Sequence, residues 1–287
     1  MSDEKYYNYQ QNRSLNLETD GCELAEWESQ YGIKQFALHP DGFKIFLHPD
    51  KLEASDEYAE ADPYNVEEQI DSQFHQRRFG ITIDLLKQAS KSFSEPMKIL
   101  DLGCGEGHIT QLILKEFPGS EMTGLDYSLT AIKYAQAHFP EIDFCVGDAY
   151  EGPYAEGYFD VVVCNNLWEH VPDPMHLLRE MKKFLKPGGY IIMSTPSRYR
   201  LSNLVRVLLG KPIAFMSEHH VTEYTVGQVI EQFRFGGMDV VKMLSRPISQ
   251  GRIAGRILRK LLVIWLKLVH SHHQLEATVF YLAQKPE

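Results

Sequence analysis

The stretch that decides the fold is Lys98-Ile-Leu-Asp-Leu-Gly-Cys-Gly-Glu-Gly-His108. Its first five residues are a short apolar run that predicts a buried strand. Three glycines follow, directly before a helical pattern. Glycine tolerates positive φ and carries no side chain, so the backbone there can approach a ligand beside a helix N-terminus. The spacing is G-x-G-x-G, which differs from the G-x-G-x-x-G of dinucleotide enzymes.

Strand-like runs and helical patterns alternate on both sides of this stretch. Strands are predicted at residues 98–102, 122–127, 144–148, 159–166, 189–196, 239–244 and 277–285. Helices are predicted at 66–89, 109–117, 128–139, 175–185, 252–270 and after the capping box Thr225-x-x-Gln228. Alternation at this spacing indicates parallel βαβ units. We predict an α/β fold with a Rossmann-like, seven-stranded, mostly parallel sheet and helices on both faces.

The first 66 residues differ from the rest. Residues 33–39 and 43–48 are rich in strand formers and flank the turn signal Pro40-Asp41-Gly42, which predicts a hairpin. His39 and His48 each precede a proline at a strand end, so we expect them at the surface; a role as ligands is the alternative. The chain is therefore divided into an acidic N-terminal extension with a β-hairpin (1–66) and a main domain (67–287).

Charge is unevenly distributed along the chain. The total is −10, but residues 1–75 carry 17 Asp/Glu against 5 Lys/Arg, and residues 198–287 carry 13 Lys/Arg against 6 Asp/Glu. The acidic total argues against a general nucleic-acid binder. The start, MSDEKYYNYQ, lacks a basic segment followed by an apolar run, so a cytoplasmic location is expected. Four cysteines without metal-binding spacing are expected to be reduced: Cys22, Cys104, Cys145 and Cys164.

Polar motifs follow consecutive predicted strands. Asp126 ends the strand after the glycine stretch, Gly147-Asp148-Ala149 ends the next, and Asn165-Asn166-Leu167-Trp168 follows the one after that. The carboxyl ends of parallel strands form the crevice in which open α/β sheets bind ligands. A carboxylate at position 126 can accept hydrogen bonds from both hydroxyls of a ribose. An aspartate there can also cap the next helix, but Ser128 is better suited to that role.

These motifs together resemble a known family. ILDLGCGEG, GLD, GDA, FDVVVCNNLWEHVPDP and LKPGGYIIMSTP occur in the order found in class I S-adenosylmethionine-dependent methyltransferases, over about residues 74–197 and more weakly to the end. The chain is similar to methyltransferase domain types 11 and 23 and to ubiquinone-pathway O-methyltransferases. The resemblance implies S-adenosylmethionine as cofactor and methylation of an acceptor on oxygen.

The resemblance also implies cofactor contacts. Asp101, Gly103 and Gly105 would surround the methionine part, with Gly107 in the same glycine turn and Asn165 beneath it. Asp126 and Tyr127 would bind the ribose and adenine, and Asp148 and Ala149 the adenine. Arg78 would lie near the cofactor carboxylate; an exposed helix arginine is the alternative.

A metal site is not expected. The related quinone enzymes carry two glutamates three residues apart before His-Val-Pro, and these are associated with a divalent metal. Here Asn166 occupies the first position, which leaves Glu169 and His170.

The candidate catalytic residues are three histidines. Methyl transfer from a sulfonium is an in-line displacement with a neutral leaving group, so the protein mainly aligns the nucleophile and takes up its proton. His170 is the first candidate base because it follows a cofactor strand; it could instead anchor its loop. His219 and His220 are further candidates, with a structural role before Thr225 as the alternative.

The basic C-terminal region indicates the acceptor. Residues 252–270 place five cations largely on one helical face, with apolar residues on much of the rest: Arg252, Arg256, Arg259, Lys260 and Lys267. Residues 198–224 contain a second basic, apolar stretch where this fold commonly builds its substrate cover. Such helices suit a membrane surface; packing against the sheet is the alternative. We expect a small-molecule or lipid-linked acceptor, a saccharide on a lipid included, and peripheral membrane contact through 252–270.

Other functional classes are weighed against this interpretation. A NAD-dependent Rossmann oxidoreductase needs the other glycine spacing, and a non-catalytic S-adenosylmethionine-binding protein would keep the motifs without transferring a methyl group. An amino-group DNA methylase would have Pro-Pro and an aromatic residue where this chain has Asn166-Leu167-Trp168. Nucleic acid is therefore not expected as a partner.

Overall fold

The structure is a computed structural model that describes residues 3–14, 34–48, 51–52, 73–93, 96–245 and 253–287. The described strands form one sheet in the order β1-β2-β3-β6-β5-β4-β7-β8-β10-β9. The strands are β1 (Tyr9–Ser14), β2 (Lys34–Leu38), β3 (Lys44–Ile45), β4 (Lys98–Leu102), β5 (Glu121–Asp126), β6 (Asp143–Val146), β7 (Phe159–Asn165), β8 (Leu185–Pro196), β9 (Asp239–Leu244) and β10 (Thr278–Gln284). Pairing is parallel from β3 through β8, and β10 and β9 are antiparallel to their neighbours. The predicted α/β class with a mostly parallel sheet is confirmed.

Helices cover both faces of the sheet. They are α1 (Gln73–Ala89), α2 (His108–Glu116), α3 (Leu129–His138), α4 (Pro174–Phe184), α5 (Leu201–Leu208), α6 (Val226–Phe235) and α7 (Ile253–Leu268). Successive strand residues alternate between two buried clusters: Val161 and Val163 pack with residues of α1, α2 and α3, whereas Val162 and Cys164 pack with residues of α4 and α6. This period of two places one helical layer on each side of the strands.

The N-terminal hairpin forms as predicted, but it extends the main sheet. β2 and β3 are antiparallel around the turn, and β3 pairs with β6 in parallel, so the sheet formed by the described residues has ten strands instead of the predicted seven. Lys5 anchors this edge through hydrogen bonds from its Nζ to Thr123 Oγ1 (2.8 Å) and Asp143 Oδ2 (2.9 Å). The expectation of surface histidines is wrong, because His39 and His48 are only 7% and 5% exposed. His39 stacks on Phe43 with ring centroids 4.4 Å apart.

Local signals in the main domain have their expected effect. Ser128 accepts a hydrogen bond from the Ala131 amide and caps α3, and Thr225 and Gln228 form the capping box of α6. Residues 186–188, between the predicted helix and the predicted strand, are part of β8, where a bulge sets Phe159 opposite Leu185 but Val161 opposite Tyr190. Three of the four cysteines are free and buried, and Cys22 lies outside the described residues. Within the described ranges, no helix has the length and apolar character to cross a bilayer.

Gly124 in β5 tests how tightly the helical layer packs on the sheet. A Cβ atom there would lie 2.5 Å from Phe144 and 2.9 Å from Cys104 Sγ. Gly124→Ala is therefore expected to lower the free energy of unfolding by about 1–3 kcal/mol through overpacking, as measured by urea denaturation. Gly227→Ala in α6 is the matched control, because no atom lies within 4 Å of its Cβ position. Equal stability of the two variants would contradict this packing.

Candidate active site

A cavity of about 660 Å³ opens at the carboxyl ends of β4, β5, β6 and β7. Its walls also include α1, the segment between α5 and α6, and the start of β10. Twelve of the thirteen predicted site residues line it: Arg78, Asp101, Gly103, Gly105, Asp126, Tyr127, Asp148, Ala149, Asn165, His170, His219 and His220. The structure therefore brings the predicted cofactor and catalytic residues into one space.

The glycine turn after β4 is folded onto the end of β5. The amides of Gly103 and Cys104 both donate to the Leu125 carbonyl, at 2.8 and 3.1 Å. Gly103 and Gly105 have φ of +77° and +54°, a region that favours glycine. Gly107 does not line the cavity. It precedes α2 with φ +78°, and a Cβ there would lie 2.7 Å from Phe144, so its place in the structure is a packing one.

Asp126 joins the turn to the next helix. Its Oδ2 accepts from the Gly105 amide at 2.7 Å and its Oδ1 from the Ser128 amide at 2.9 Å. An ionised carboxylate has about four acceptor positions, so both oxygens retain capacity for a ligand. Asp148 has a similar local role, since its Oδ1 accepts from the Tyr150 amide at 2.9 Å.

Asp101 and Asn165 form the floor of the cavity between β4 and β7. Burial raises the pKa of Asp101 to about 6, and the nearby Asp126 acts in the same direction. Thr110 Oγ1 donates to Asp101 Oδ2 at 2.7 Å. Asn165 Nδ2 donates to Thr82 Oγ1 at 3.3 Å, and Asn165 Oδ1, although buried, has no hydrogen-bond partner among the described residues. A ligand that carries a hydrogen-bond donor would satisfy this oxygen.

Arg78 and Glu169 both line the cavity, and their opposite charges interact. Burial lowers the pKa of Arg78 to about 10, and the Glu169 charge opposes that effect. Burial raises the pKa of Glu169 to about 7. Glu169 Oε2 accepts from Thr195 Oγ1 at 3.0 Å, whereas Oε1 is buried without a hydrogen-bond partner among the residues described. Arg78 is thus a half-buried residue of the cavity wall, and the alternative of an exposed helix arginine does not hold.

The three histidines differ in their surroundings. The rings of His170 and His220 meet edge to face with centroids 5.0 Å apart. His220 Nδ1 lies 2.9 Å from Glu223 Oε1. His219 is exposed, and its backbone amide donates to Ser217 Oγ at 3.2 Å.

Glu223 and Arg200 were not predicted from the sequence. Glu223 is 0% exposed and pairs with Arg200, which lies immediately before α5. The two residues are 23 positions apart, and no periodicity or motif connects them. The local signal at position 223 is an acidic residue in the predicted substrate cover, two residues before the Thr225 helix cap.

Three side chains beside the cavity, Glu169, His170 and His220, lie close enough together to be considered as metal ligands. One ligand atom each from Glu169, His170 and His220 lies within 4.8 Å of the others, so the spacing alone would admit an ion. The charge does not favour one, because Arg78 opposes the charge of Glu169 and Arg200 pairs with Glu223. A dication would add uncompensated positive charge to a buried region.

Asn166, which occupies the first of the two glutamate positions, has a left-handed backbone conformation and a side-chain contact to β8. It has φ +56°, a conformation that asparagine tolerates better than glutamate. Its Oδ1 accepts from Ser194 Oγ at 2.9 Å. The residue that replaces the expected first glutamate is therefore tied to β8. The absence of a metal stays a prediction.

The raised pKa of Asp101 gives a test of the cavity floor. The pKa is about 6 in the folded protein against an ordinary 3.8, so the folded state binds the proton more tightly and loses stability as pH rises between these values. The loss corresponds to about 3 kcal/mol. Asp101→Asn removes it and keeps an acceptor for Thr110, so we expect the variant to be more stable at pH 8. Urea unfolding from pH 4 to pH 8 should show the difference widening up to about pH 6; a pH-independent difference would contradict this assignment.

Comparisons with known proteins agree with this geometry. Residues 93–238 match a family described as a methyltransferase domain. The ubiquinone biosynthesis O-methyltransferase of Chromobacterium violaceum is 36% identical over 134 residues, which cover 44% of this chain and 56% of that protein. The enzyme of the same name from Cupriavidus pinatubonensis is 30% identical over 167 residues, covering 53% and 66%. The chain spans about half the length of the curated relatives it matches.

Solved structures share the fold at low identity. The YcgJ protein of Bacillus subtilis has a TM-score of 0.51 at 18% identity and covers 74% of this chain and 100% of its own. The cyclase SpnF has a TM-score of 0.53 at 18% identity, covering 75% and 84%. Because the family match extends over half of the sequence and contains the glycine turn and the three further strand-end motifs, the chain belongs to the methyltransferase domain family, whose class I domains use S-adenosylmethionine as methyl donor.

Proposed function

We propose that this protein transfers the methyl group of S-adenosylmethionine to an oxygen atom of a small-molecule acceptor. One observation carries the proposal: the glycine turn, Asp126, Asp148 and Asn165 line the same cavity as a group of histidines. The first set suits a nucleoside with an amino-acid tail, and the second can serve an acceptor that loses a proton. The names of the curated O-methyltransferase relatives support oxygen as the methylated atom.

The cofactor is assigned to the strand-end side of the cavity. The proposed contacts are Asp126 and Tyr127 at the ribose, Asp148 and Ala149 at the adenine, Asp101, Gly103, Gly105 and Asn165 at the methionine amino end, and Arg78 at its carboxylate. The unpartnered Asn165 Oδ1 fits the methionine ammonium group, which is a donor. When bound, the cofactor supplies an electrophilic methyl group on a sulfonium.

The acceptor is assigned to the opposite wall, which we name the cover, residues 198–224. The cover is fixed by buried polar residues. Asn203 Nδ2 donates to the carbonyls of Arg198 (2.7 Å) and Ala214 (3.0 Å), and Glu223 accepts from the Met216 amide at 2.5 Å. A wall held in this way can exclude water and align the acceptor oxygen with the methyl carbon, which is the main requirement of an in-line displacement.

The outer surface of the cover and α7 supports an acceptor with an apolar portion, such as a lipid-linked or isoprenoid molecule or a saccharide on a lipid. Leu208 in α5 is 85% exposed and Trp265 in α7 is 56% exposed. Arg259 in α7 pairs with Glu276, two residues before Thr278 of the cavity wall. Lys260 and Lys267 are exposed beside this apolar surface, whereas Arg252 and the Arg256 side chain lie outside the described residues. We propose a cytoplasmic protein with peripheral membrane contact through 252–270.

Calorimetric titration with S-adenosylmethionine and S-adenosylhomocysteine tests the cofactor site. Asp126→Ala is expected to weaken both affinities by at least about tenfold, because it removes charge-assisted hydrogen bonds. Asp239→Ala at the exposed start of β9 is the matched carboxylate control and should bind as the wild type does. Radiolabelled methyl transfer to catechol, 4-decylcatechol and decyl glucoside then tests turnover. Cofactor binding without transfer to any of the three would favour the non-catalytic alternative.

Flotation with vesicles of phosphatidylglycerol and phosphatidylcholine tests membrane contact. The double variant Trp265→Ser/Leu268→Ser is expected to lose most of the vesicle-bound fraction, because these exposed side chains would enter the interface. Phe235→Ser removes an apolar side chain of α6 that is 85% exposed, more than either of those two, and should leave binding unchanged. Wild-type protein that stays unbound at low salt would contradict the membrane contact.

A further inference from the structure

The strongest feature that remains is a chain of buried polar contacts behind the cavity wall. It runs from Arg200 through Glu223 to His220, and His220 borders the cavity. We infer that His220 takes up the acceptor proton during methyl transfer and that Glu223 is the residue that positions it. This inference rests on the proposed methyl transfer and adds to it two residues of the cover.

Glu223 is fully buried, and its two oxygens accept three hydrogen bonds. Oε2 binds the Arg200 guanidinium, and Oε1 accepts from the Met216 amide at 2.5 Å and faces His220 Nδ1 at 2.9 Å. Arg200 is held in turn by the carbonyls of Ser197 and Ala214, at 3.1 and 2.5 Å. The Glu223 carboxylate is therefore held in position and paired with a cation. The ionised carboxylate acts only as a hydrogen-bond acceptor.

This arrangement decides which nitrogen of His220 carries the proton. A carboxylate only accepts, so Nδ1 must be the donor in the contact with Glu223. In the neutral ring the lone pair then lies on Nε2. No other hydrogen bond to the His220 ring comes from the residues that the structure describes. A histidine with one nitrogen bound to a carboxylate and the other directed to a reacting group is the usual arrangement of a general base.

The surroundings distinguish His220 from the two other candidates. His219 is exposed, and its backbone amide is the group that bonds to Ser217. His170 packs edge to face against His220, which restricts the His220 ring from the cofactor side of the cavity. His220 both contacts a buried carboxylate, Glu223, and lines the cavity.

The transfer step balances with these groups. The acceptor O–H gives its proton to His220 Nε2 while the oxygen forms a bond to the methyl carbon. The C–S bond breaks and its electron pair stays on sulfur, so the products are a methyl ether, neutral S-adenosylhomocysteine and an imidazolium paired with Glu223. The imidazolium later releases the proton to solvent.

Ring-nitrogen NMR on ¹⁵N-labelled protein with S-adenosylhomocysteine tests the positioning without an acceptor. Wild-type His220 should show a protonated Nδ1 and an unprotonated Nε2. Glu223→Gln, which offers a neutral amide instead of a carboxylate, should lose this single tautomer, and Glu223→Asp should recover it in part. A protonated Nε2 in the neutral wild-type ring would overturn the inference.

Kinetics test the catalytic role, with whichever of catechol, 4-decylcatechol or decyl glucoside the wild type methylates. His220→Asn keeps a donor for Glu223 but lacks the basic nitrogen, so kcat should fall about 100- to 10,000-fold while KM and cofactor affinity change little. Glu223→Gln should lower kcat roughly tenfold or more, and imidazole should partly restore turnover to His220→Gly. His138→Asn, on the exposed end of α3, is the matched control and should equal the wild type.

Each failure has its own result. A wild type that binds cofactor but methylates none of the three acceptors contradicts the proposed function, and the base assignment falls with it. A His220→Asn variant as active as the wild type overturns the inference alone. Turnover that EDTA abolishes and Co²⁺ restores would assign the His220 lone pair to a metal ion and also overturn it.

Discussion

The contact between the glycine turn and the end of β5 is the constraint on which the rest of the site depends. The amides of Gly103 and Cys104 bind the Leu125 carbonyl, and the Gly105 amide binds Asp126. A backbone can come this close only where side chains are absent and positive φ is tolerated. The contact leaves Asp126 at the cavity edge, so one carboxylate both shapes the turn and borders the space that the turn encloses.

The distribution of charge divides the cavity into two parts. Burial raises the pKa of Asp101 to about 6 and the charge of Asp126 acts in the same direction, so two carboxylates lie close together on one side of the cavity. A cationic ligand is therefore favoured on that side. On the other side Arg200 pairs with Glu223, so the charge of that buried carboxylate is already balanced.

The cover combines a fixed interior with an apolar exterior. Its buried polar side chains, Arg200, Asn203 and Glu223, hydrogen-bond to the backbone between α5 and α6, at the Ala214 carbonyl and the Met216 amide. Breaking such buried pairs is costly because a charge would be left without a partner. The exposed side of the same segment carries Leu208 and Leu209. The proposed acceptor wall is thus held by buried polar contacts, and its outer side exposes apolar side chains.

The amino-acid sequence determined the fold class, the order of the main-domain elements and the residues at the strand-end side of the cavity. Those features follow from local patterns: apolar runs, glycine spacing, the caps at Ser128 and Thr225, and acids placed at strand ends. It did not reveal that β1, β2 and β3 extend the main sheet, nor that His39 and His48 are buried, because pairing between distant segments leaves no periodicity in either one. The tertiary structure alone brought Glu223 to Arg200 and His220, since burial and long-range packing, which set the charge balance and the orientation of a side chain, arise only when the chain is folded.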